Sequence, residues 1–288
     1  MEQIPEYIQK SPNGDMWFTE YEGDNLKIKY KIKEIVFSEH SSIQHIMVLD
    51  SFDYGRMLIL DGILQTTSKD GHIYNEMITH VPLSFHPDPK NVLIIGGGDC
   101  GAAREVVKYK SVKRIDMVEI DDLVVNVSRK YLPQVSGNIS DPRLNFVFQD
   151  GTSFVSQQKD RKYDVVIVDS SDPVGPAVSL FEKEFYQNIF KMLKDDGLMV
   201  CQSESPIFYM NILSDTYNRV SSLFPITKLY TAIVPTYPGG LWSFTLGSKK
   251  YEKPYINEFN KDTLYVNKEI IEGCFSIPEG LKSKLFKG

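Results

Sequence analysis

The sequence predicts an α/β protein in which a small N-terminal antiparallel β domain precedes a mostly parallel sheet flanked by helices. Three patterns support this fold class. Apolar residues alternate with lysines over 26–33, a glycine turn joins a strand to a helix within 91–106, and two strands joined by a short link follow at 228–246. The first pattern is typical of a strand with one solvated face, and the second of a βα unit that binds a ligand at its strand end.

Residues 1–70 are predicted to form the antiparallel β domain. The alternating lysines of 26–33 fit a strand whose charged face meets water, which explains them better than a nucleic-acid patch does. Turn residues at 53–55 and at Asp61-Gly62 separate apolar runs, and the second turn is a strong hairpin signal.

Residues 71–288 are predicted to form the second domain. Apolar residues change to helical spacing at Ile73 and Met77, and we expect this helix to end at Pro82. Strands and helices then alternate, with Gly197 expected to end the helix before the fifth strand. The expected strands are 92–95, 115–120, 144–148, 165–168 and 198–202. Helices are expected near 101–107, 122–131, 185–193 and 213–224, and a short one is expected after Gly151.

Two further strands, 228–234 and 241–246, are joined by the short sequence PTYPGG. So short a link requires antiparallel pairing. A parallel sheet that finishes in an antiparallel hairpin is typical of the Rossmann-like, class I methyltransferase-type sheet rather than of the six-stranded dinucleotide-binding domain.

Composition argues against several classes of partner. The 288 residues carry a net charge of −6 and no basic patch, so we expect no nucleic-acid partner. No apolar run is long enough to span a membrane and the first residues do not resemble a signal peptide, so we expect a cytoplasmic protein without a membrane partner. The three cysteines, Cys100, Cys201 and Cys274, are scattered and predict neither disulfides nor a metal site.

The glycine turn satisfies the pattern G-x-G-x-x-G at Gly96, Gly98 and Gly101, and Glu119 follows about twenty residues later. Glycine allows a tight turn and a close approach of the backbone to a ligand. Asp99 lies inside this turn, where a fixed carboxylate repels a pyrophosphate. The sequence therefore favours a cationic, nucleoside-like ligand over a dinucleotide.

Four carboxylates lie at or just after the ends of successive predicted strands: Asp99, Glu119, Asp150 and Asp169. Any one of them could be a helix cap, but ligands bind at this edge of an open α/β sheet, and four in register predict a shared site. Glu119 suits ribose hydroxyls, Asp150 suits an exocyclic adenine amine, and Asp99 suits an ammonium. Asp99 would also repel a donor whose arm carries a carboxylate.

The segment 169–181, DSSDPVGPAVSLF, is predicted to be a lid loop over this edge. Asp169 and Asp172 could hold a cationic amine and accept its proton. Freeing the lone pair of a primary amine with a pKa near 10 costs about 5 kcal/mol at pH 7. Asp169 therefore needs a raised pKa, or a proton transfer coupled to bond formation, to act as a base.

The chain resembles the polyamine aminopropyltransferases, and among them the spermidine synthases. The similar motifs occur in order from Trp17 to Phe244: WFTE, LDGILQ, YNEM, GGGDCG, VEID, QDG, DSSDPVGPA and PTYPGG. The resemblance implies transfer of the 3-aminopropyl group from decarboxylated S-adenosylmethionine, a co-substrate, to the diamine putrescine, with no metal and no other cofactor. It also implies a homodimer or homotetramer, since family members assemble through the N-terminal β region.

The resemblance also assigns roles to individual residues. Asp169 corresponds to the proposed base. The residues that correspond to the donor site are Gln44, Gln65, Gly96, Gly98, Asp99, Glu119, Asp150 and Gly151. Those that correspond to the amine site are Trp17, Tyr74, Asp172 and Tyr237.

The sequence departs from the family pattern at two positions. Cys100 replaces a glycine of GGGDGG, where a positive φ would be strained. Asn75 replaces a longer Gln or a His, so we do not expect a direct contact from this residue to the ligand.

Several alternative functions share part of this pattern. Agmatine, cadaverine or spermidine could be the acceptor instead of putrescine, because they differ only at the end remote from the reacting amine; Glu20 and Glu204 are further candidates for contacting that end. An S-adenosylmethionine methyltransferase shares the fold, although Asp99 argues against it. A NAD-dependent oxidoreductase and a non-catalytic polyamine-binding module are the remaining alternatives.

Overall fold

Two β-sheets organise the protein, as seen in a computed structural model that describes residues 5–137, 139–158, 160, 162–173, 175–256 and 259–286. The first sheet is antiparallel throughout, and its strands follow one another in chain order. They are β1 Ile8–Lys10, β2 Met16–Glu22, β3 Leu26–His40, β4 His45–Ser51, β5 Arg56–Leu60 and β6 Ile63–Thr67.

Side-chain alternation builds the first sheet as the sequence predicts. Phe18, Tyr30 and Ile32 are buried on one face, while the lysines of β3 lie on the other. The predicted hairpin at Asp61-Gly62 joins β5 to β6, with φ values of 47° and 80° at the two turn residues. Positive φ at both central residues is the turn geometry that matches the twist of paired strands.

The second sheet has the order β12-β13-β11-β10-β7-β8-β9. Neighbours from β11 to β9 pair in parallel, and β13 pairs antiparallel with both β11 and β12. The strands are β7 Asn91–Gly96, β8 Arg114–Glu119, β9 Leu144–Phe148, β10 Tyr163–Asp169, β11 Leu193–Gln202, β12 Ile226–Ile233 and β13 Leu241–Ser248. The predicted fold class and its closing hairpin are confirmed.

Helices cover the second sheet and complete its core. Their bounds are α1 Gly71–Phe85, α2 Gly101–Val106, α3 Asp122–Tyr131, α4 Pro133–Ser136, α5 Gly151–Gln157, α6 Lys183–Met192, α7 Met210–Ser221, α8 Lys268–Gly273 and α9 Glu279–Leu285. In the predicted lid, a 3₁₀ helix occupies Gly175–Phe181, and residue 174 lies outside the described residues. No described helix is long and apolar enough to cross a membrane.

Two predicted boundaries are wrong. Helix α1 continues past Pro82 to Phe85, because the buried side chains of Val81, Leu83 and Phe85 hold its last turn in the core. Strand β11 begins at Leu193 rather than at residue 198, so Gly197 lies inside a strand and does not end a helix.

The two sheets meet on the side where β7, β8 and β10 end. Ile46 and Leu58 of the first sheet pack with Val124 and Val127 of α3. Asp70, just before α1, accepts hydrogen bonds from the backbone N–H and the hydroxyl of Thr236 in the β12–β13 link. The first sheet therefore forms one wall above the ligand-binding edge of the second.

Candidate active site

A cavity of about 240 Å³ lies between the two sheets, over the carboxyl ends of the parallel strands. The chain order reverses between β7 and β10, which is where ligands bind in open α/β sheets. None of its described lining residues is a lysine, arginine or histidine. Eight carboxylates line it: Glu20, Glu22, Asp61, Asp99, Glu119, Asp150, Asp169 and Asp172.

The glycine turn brings β7 and β10 into close contact at this reversal. Gly96 has a φ of 81° and pairs with Asp169, and a Cβ on Gly96 would lie 2.2 Å from the Asp169 carbonyl oxygen. The backbone N–H of Gly97 donates to that oxygen at 2.8 Å. Only glycine fits here, because the conformation is left-handed and the neighbouring backbone leaves no space.

Asp99 is held in a fixed orientation inside the turn. Its Oδ1 accepts from the Gly101 N–H at 2.7 Å, and its Oδ2 accepts from Asn75 Nδ2 at 3.2 Å. Burial raises the pKa of Asp99. Asn75 therefore contacts Asp99, which gives this departure from the family pattern an orienting role.

Cys100 adopts a positive φ, the conformation that we expect to be strained at this position. Its φ is 65°, and it precedes the first residue of α2 without a side-chain capping bond. The side chain is fully buried in the main core cluster. The thiol thus fills core space while the backbone keeps a glycine-like conformation.

The remaining donor-site candidates surround Glu119. Its Oε1 accepts from the Asp121 N–H at 3.0 Å, and burial raises its pKa to about 7. Asp150 caps α5 by accepting a hydrogen bond from the Ser153 N–H at 2.7 Å. It also lines the cavity, so the cap does not remove it from the site. Gly98 and Gly151 line the same region.

Two glutamines reach the cavity from the first sheet. Gln44 donates to Asp121 Oδ2 at 3.0 Å, and Asp121 also caps α3. The backbone carbonyl of Gln65 accepts a hydrogen bond from Tyr237 at 2.7 Å. These bonds tie the first sheet to the two sides of the cavity.

Asp169 lies at the end of β10 and lines the cavity. Its Oδ1 accepts a hydrogen bond from the Tyr74 hydroxyl at 2.7 Å. Burial and then the charge of Asp99 raise its pKa to about 8, whereas the Tyr74 bond opposes this rise. Once ionised, a carboxylate with such a pKa is a stronger base than an ordinary carboxylate.

Aromatic rings line the cavity together with Asp169 and a second group of acids. The ring centroid of Tyr237 lies 5.8 Å from that of Tyr74 and 4.6 Å from that of Trp242. These rings give the cavity an apolar section that suits a methylene chain, and their faces can contact a cation.

The second group, here called the remote acidic group, consists of Glu20, Glu22, Asp172 and Glu204. Burial raises the pKa of Glu20 to about 8 and, together with Asp172, that of Glu204 to about 9. Glu204 is fully buried and has a φ of 68°, a strained conformation of the kind that clusters at functional sites.

The structure brings together all the predicted site residues except Trp17. Trp17 does not line the cavity within the described chain, because strand alternation places it on the opposite face of β2 from Glu20 and Glu22. Its amine-binding role stays a prediction. Sequence reasoning missed Glu22, Gln202 and Tyr209, although the alternation of β2 gives a signal for Glu22.

One other acidic cluster lies far from the cavity. Among the described residues, only His86, Asp164 and Asp196 have the spacing of metal ligands. Asp164 is at the opposite end of β10 from Asp169, and Lys194 Nζ binds both of its carboxylate oxygens at 2.9 Å. A lysine ammonium therefore already supplies the positive charge at this cluster.

Comparison with known families decides what kind of site this is. The chain matches the spermine/spermidine synthase domain over residues 71–258 and the spermidine synthase tetramerisation domain over residues 16–68. The chain belongs to the spermine/spermidine synthase family. It is therefore an aminopropyltransferase.

Relatives along the whole chain agree with this assignment. This aminopropyltransferase is 48% identical over 271 residues to the polyamine aminopropyltransferase of Thermoanaerobacter sp. (strain X514), covering 93% of this chain and 98% of the other. It is 46% identical over 281 residues to that of Methanocaldococcus jannaschii, covering 94% and 96%. A crystal structure of spermidine synthase in complex with the transition state analogue AdoDATO superposes with a TM-score of 0.91 at 38% identity, covering 99% of both chains.

Replacing Asp169 with asparagine is expected to stabilise the fold at high pH. The pKa of folded Asp169, about 8, exceeds the ordinary value near 4, so the folded state holds this proton more tightly than the unfolded state. Ionisation of Asp169 thus lowers the free energy of unfolding as the pH rises from about 4 to about 8. Asp169→Asn removes this loss, and its melting temperature should exceed that of the wild type by at least about 3 °C at pH 9 and by much less at pH 4.5.

Calorimetric or circular-dichroism melts at both pH values measure this difference. Asp24→Asn removes an exposed carboxylate and serves as the matched control. An equal shift at both pH values for Asp169→Asn would contradict the buried-carboxylate interpretation.

Proposed function

We propose that the enzyme transfers the 3-aminopropyl group of decarboxylated S-adenosylmethionine to putrescine, which gives spermidine and 5′-methylthioadenosine. The observation that carries this proposal is the acidic cavity, which is lined by the strand-end carboxylates, by aromatic rings and by members of the remote acidic group. The strand-end carboxylates suit a sulfonium nucleoside with an ammonium arm. The remote acidic group suits the far end of a diamine. No metal and no additional cofactor are part of the proposal.

The donor is proposed to lie along the ends of β7, β8 and β9. Glu119 would accept from the ribose hydroxyls and Asp150 from the adenine amine. Asp99, oriented by Gly101 and Asn75, would bind the ammonium of the aminopropyl arm. A carboxylate on that arm, as in ordinary S-adenosylmethionine, would be repelled by Asp99. The related spermidine synthase bound to AdoDATO supports a donor of this class.

The acceptor is proposed to extend from Asp169 to the remote acidic group. Tyr74 and Tyr237 would cover its methylenes, and Asp172 would face its cationic end. A charged amine has no lone pair with which to attack, so one proton must leave the reacting nitrogen. Asp169 would accept it, since its raised pKa makes it a better base than an ordinary carboxylate.

The proposed step is a single displacement at carbon. The amine lone pair attacks the propyl carbon next to sulfur, and the electron pair of the breaking carbon–sulfur bond moves to sulfur, which becomes a neutral thioether. The nitrogen loses its proton to Asp169. Because sulfonium is already a good leaving group, the enzyme contributes mainly orientation and proton removal.

A homo-oligomer is proposed as the assembled form. The match of residues 16–68 to a tetramerisation domain supports assembly through the first sheet. Sedimentation or light scattering of the purified chain distinguishes a dimer from a tetramer.

Product analysis tests the reaction directly. Purified protein is incubated with decarboxylated S-adenosylmethionine and, separately, putrescine, cadaverine, agmatine or spermidine, and the products are identified by mass spectrometry. We expect spermidine and 5′-methylthioadenosine in equal amounts, with putrescine giving the highest kcat/KM. Comparable turnover of agmatine or spermidine would overturn the choice of acceptor, and methyl transfer from ordinary S-adenosylmethionine would overturn the choice of reaction.

The pH dependence tests the role of Asp169. Tyr74→Phe removes a hydrogen bond that favours ionised Asp169, so the pKa of Asp169 should rise. The acid limb of kcat/KM for the amine should then move to higher pH by about 1 unit.

Tyr237→Phe is the matched control, because the Tyr237 hydroxyl donates to the Gln65 carbonyl and not to Asp169. Its acid limb should stay in place. Equal shifts in the two variants, or no shift in Tyr74→Phe, would exclude Asp169 as the group that titrates.

Donor selection tests the role of Asp99. Asp99→Asn removes both the attraction for the ammonium arm and the repulsion of a carboxylate. We expect the preference for the decarboxylated donor over ordinary S-adenosylmethionine, measured as a ratio of dissociation constants by calorimetry, to fall at least about tenfold.

Glu119→Gln should weaken the binding of both donors by a similar factor, because both contain the ribose that Glu119 is proposed to bind. A preference that Asp99→Asn leaves unchanged would show that this carboxylate does not face the arm.

A further inference from the structure

The remote acidic group has more hydrogen-bonding capacity than the protein uses. Glu20 is 2% exposed, and its Oε1 accepts from the Leu64 N–H at 2.8 Å, whereas its buried Oε2 has no partner. Glu204 Oε1 accepts from Gln202 at 3.1 Å and its buried Oε2 has no donor, although the Glu204 side chain also interacts with the Asp172 carboxylate. Buried acceptors without donors are costly, so these oxygens point to a ligand that donates.

Glu22 is the member of this group that the family resemblance does not assign. It lies two residues after Glu20 on β2, so the two side chains share the face that lines the cavity. Glu22 Oε1 is buried without a partner. Its negative charge contributes to the raised pKa values of Glu20, Asp172 and Glu204, so it belongs to the same electrostatic group.

Tyr209 lies beside Glu22. It immediately precedes α7 and lines the cavity, where its hydroxyl interacts with the Glu22 carboxylate. Burial, and then this interaction and the charge of Glu22, raise the pKa of the Tyr209 hydroxyl, so it remains a donor. The pair links β2 of the first sheet to α7 of the second across the remote end of the cavity.

An ammonium fits this arrangement better than a neutral group does. It offers three donors, which suits the unpartnered oxygens of Glu20 and Glu22 that line the cavity. No described residue lining the cavity supplies a competing positive charge.

We infer that Glu22, oriented by Tyr209, binds the remote ammonium of the acceptor and makes the enzyme select amines whose far end is charged. This inference rests on the proposed function and adds two residues to its acceptor site. It assigns Glu22 a part in selecting the acceptor and Tyr209 a positioning part.

Two amines of equal length test this selection. Putrescine has an ammonium at each end of four methylenes, whereas butylamine has the same chain with an uncharged far end. Dissociation constants for both are measured by calorimetry on the full-length protein, and kcat is measured with putrescine.

For Glu22→Gln we expect the dissociation constant of putrescine to rise at least about tenfold and that of butylamine to change by less than about twofold. kcat at saturating putrescine should change by less than about threefold, because Glu22 does not contact the reacting nitrogen. Tyr209→Phe should weaken the binding of putrescine by about threefold and leave the binding of butylamine nearly unchanged, since it removes the hydroxyl that interacts with Glu22. Asp24→Asn, which removes an exposed carboxylate from the β2–β3 turn, is the control and should leave the dissociation constants of both amines unchanged.

Each contrary result has a distinct meaning. Equal weakening of both amines by Glu22→Gln would overturn the inference, because a merely structural role affects both. An unchanged ratio of dissociation constants in both Glu22→Gln and Tyr209→Phe would also overturn it. Absence of any transfer product in the wild type would overturn the proposed function instead, and the binding ratio would still decide the role of Glu22.

Discussion

Repulsion among carboxylates held in one cavity shapes the packing and the electrostatics of this protein. Eight of them line a space that no described cationic side chain enters. The protein reduces the repulsion with neutral donors, such as the Gly101 and Leu64 N–H groups and the Tyr74 hydroxyl. It also retains protons, as the raised pKa values of Asp169 and Glu204 show. A site built in this way is complete only when cationic ligands bind, and the fold gives up stability to preserve it.

The two sheets contribute to this cavity in different ways. The second sheet places acids at the ends of neighbouring parallel strands, where the chain reverses its order. The first sheet adds a wall and carries Glu20 and Glu22 on one face of β2. Contacts between the sheets, such as Gln44 with Asp121, fix the distance between the two acidic groups. Both are therefore needed for a ligand that is charged at two places.

The glycine turn shows how a local departure is accommodated. Cys100 holds a left-handed conformation that costs a non-glycine residue about 1 kcal/mol or more. Its buried side chain packs in the core, which offsets part of that cost. The side chain of Asn75 occupies the space beside Gly101 and donates to Asp99. The turn thus keeps the direction of one carboxylate although its sequence differs from the usual pattern.

Sequence patterns alone predict the fold class, the closing hairpin and the alignment of Asp99, Glu119, Asp150 and Asp169 at one edge of the sheet. The alternation of apolar and polar side chains identifies the strands, and the length of each link indicates how neighbouring strands pair. Parallel strands end at one edge of a sheet even when they are far apart in the chain. Local pattern misjudged the end of α1, because buried neighbours hold the turn that follows Pro82.

The face of β2 that meets the cavity is set by the packing of the two sheets, which brings Glu22 rather than Trp17 to the cavity. Tertiary contacts also decide the partner of Asn75 and the left-handed conformation of Glu204. These features depend on how the first sheet docks over the second, which is set by contacts between residues distant in the chain. No local pattern encodes them.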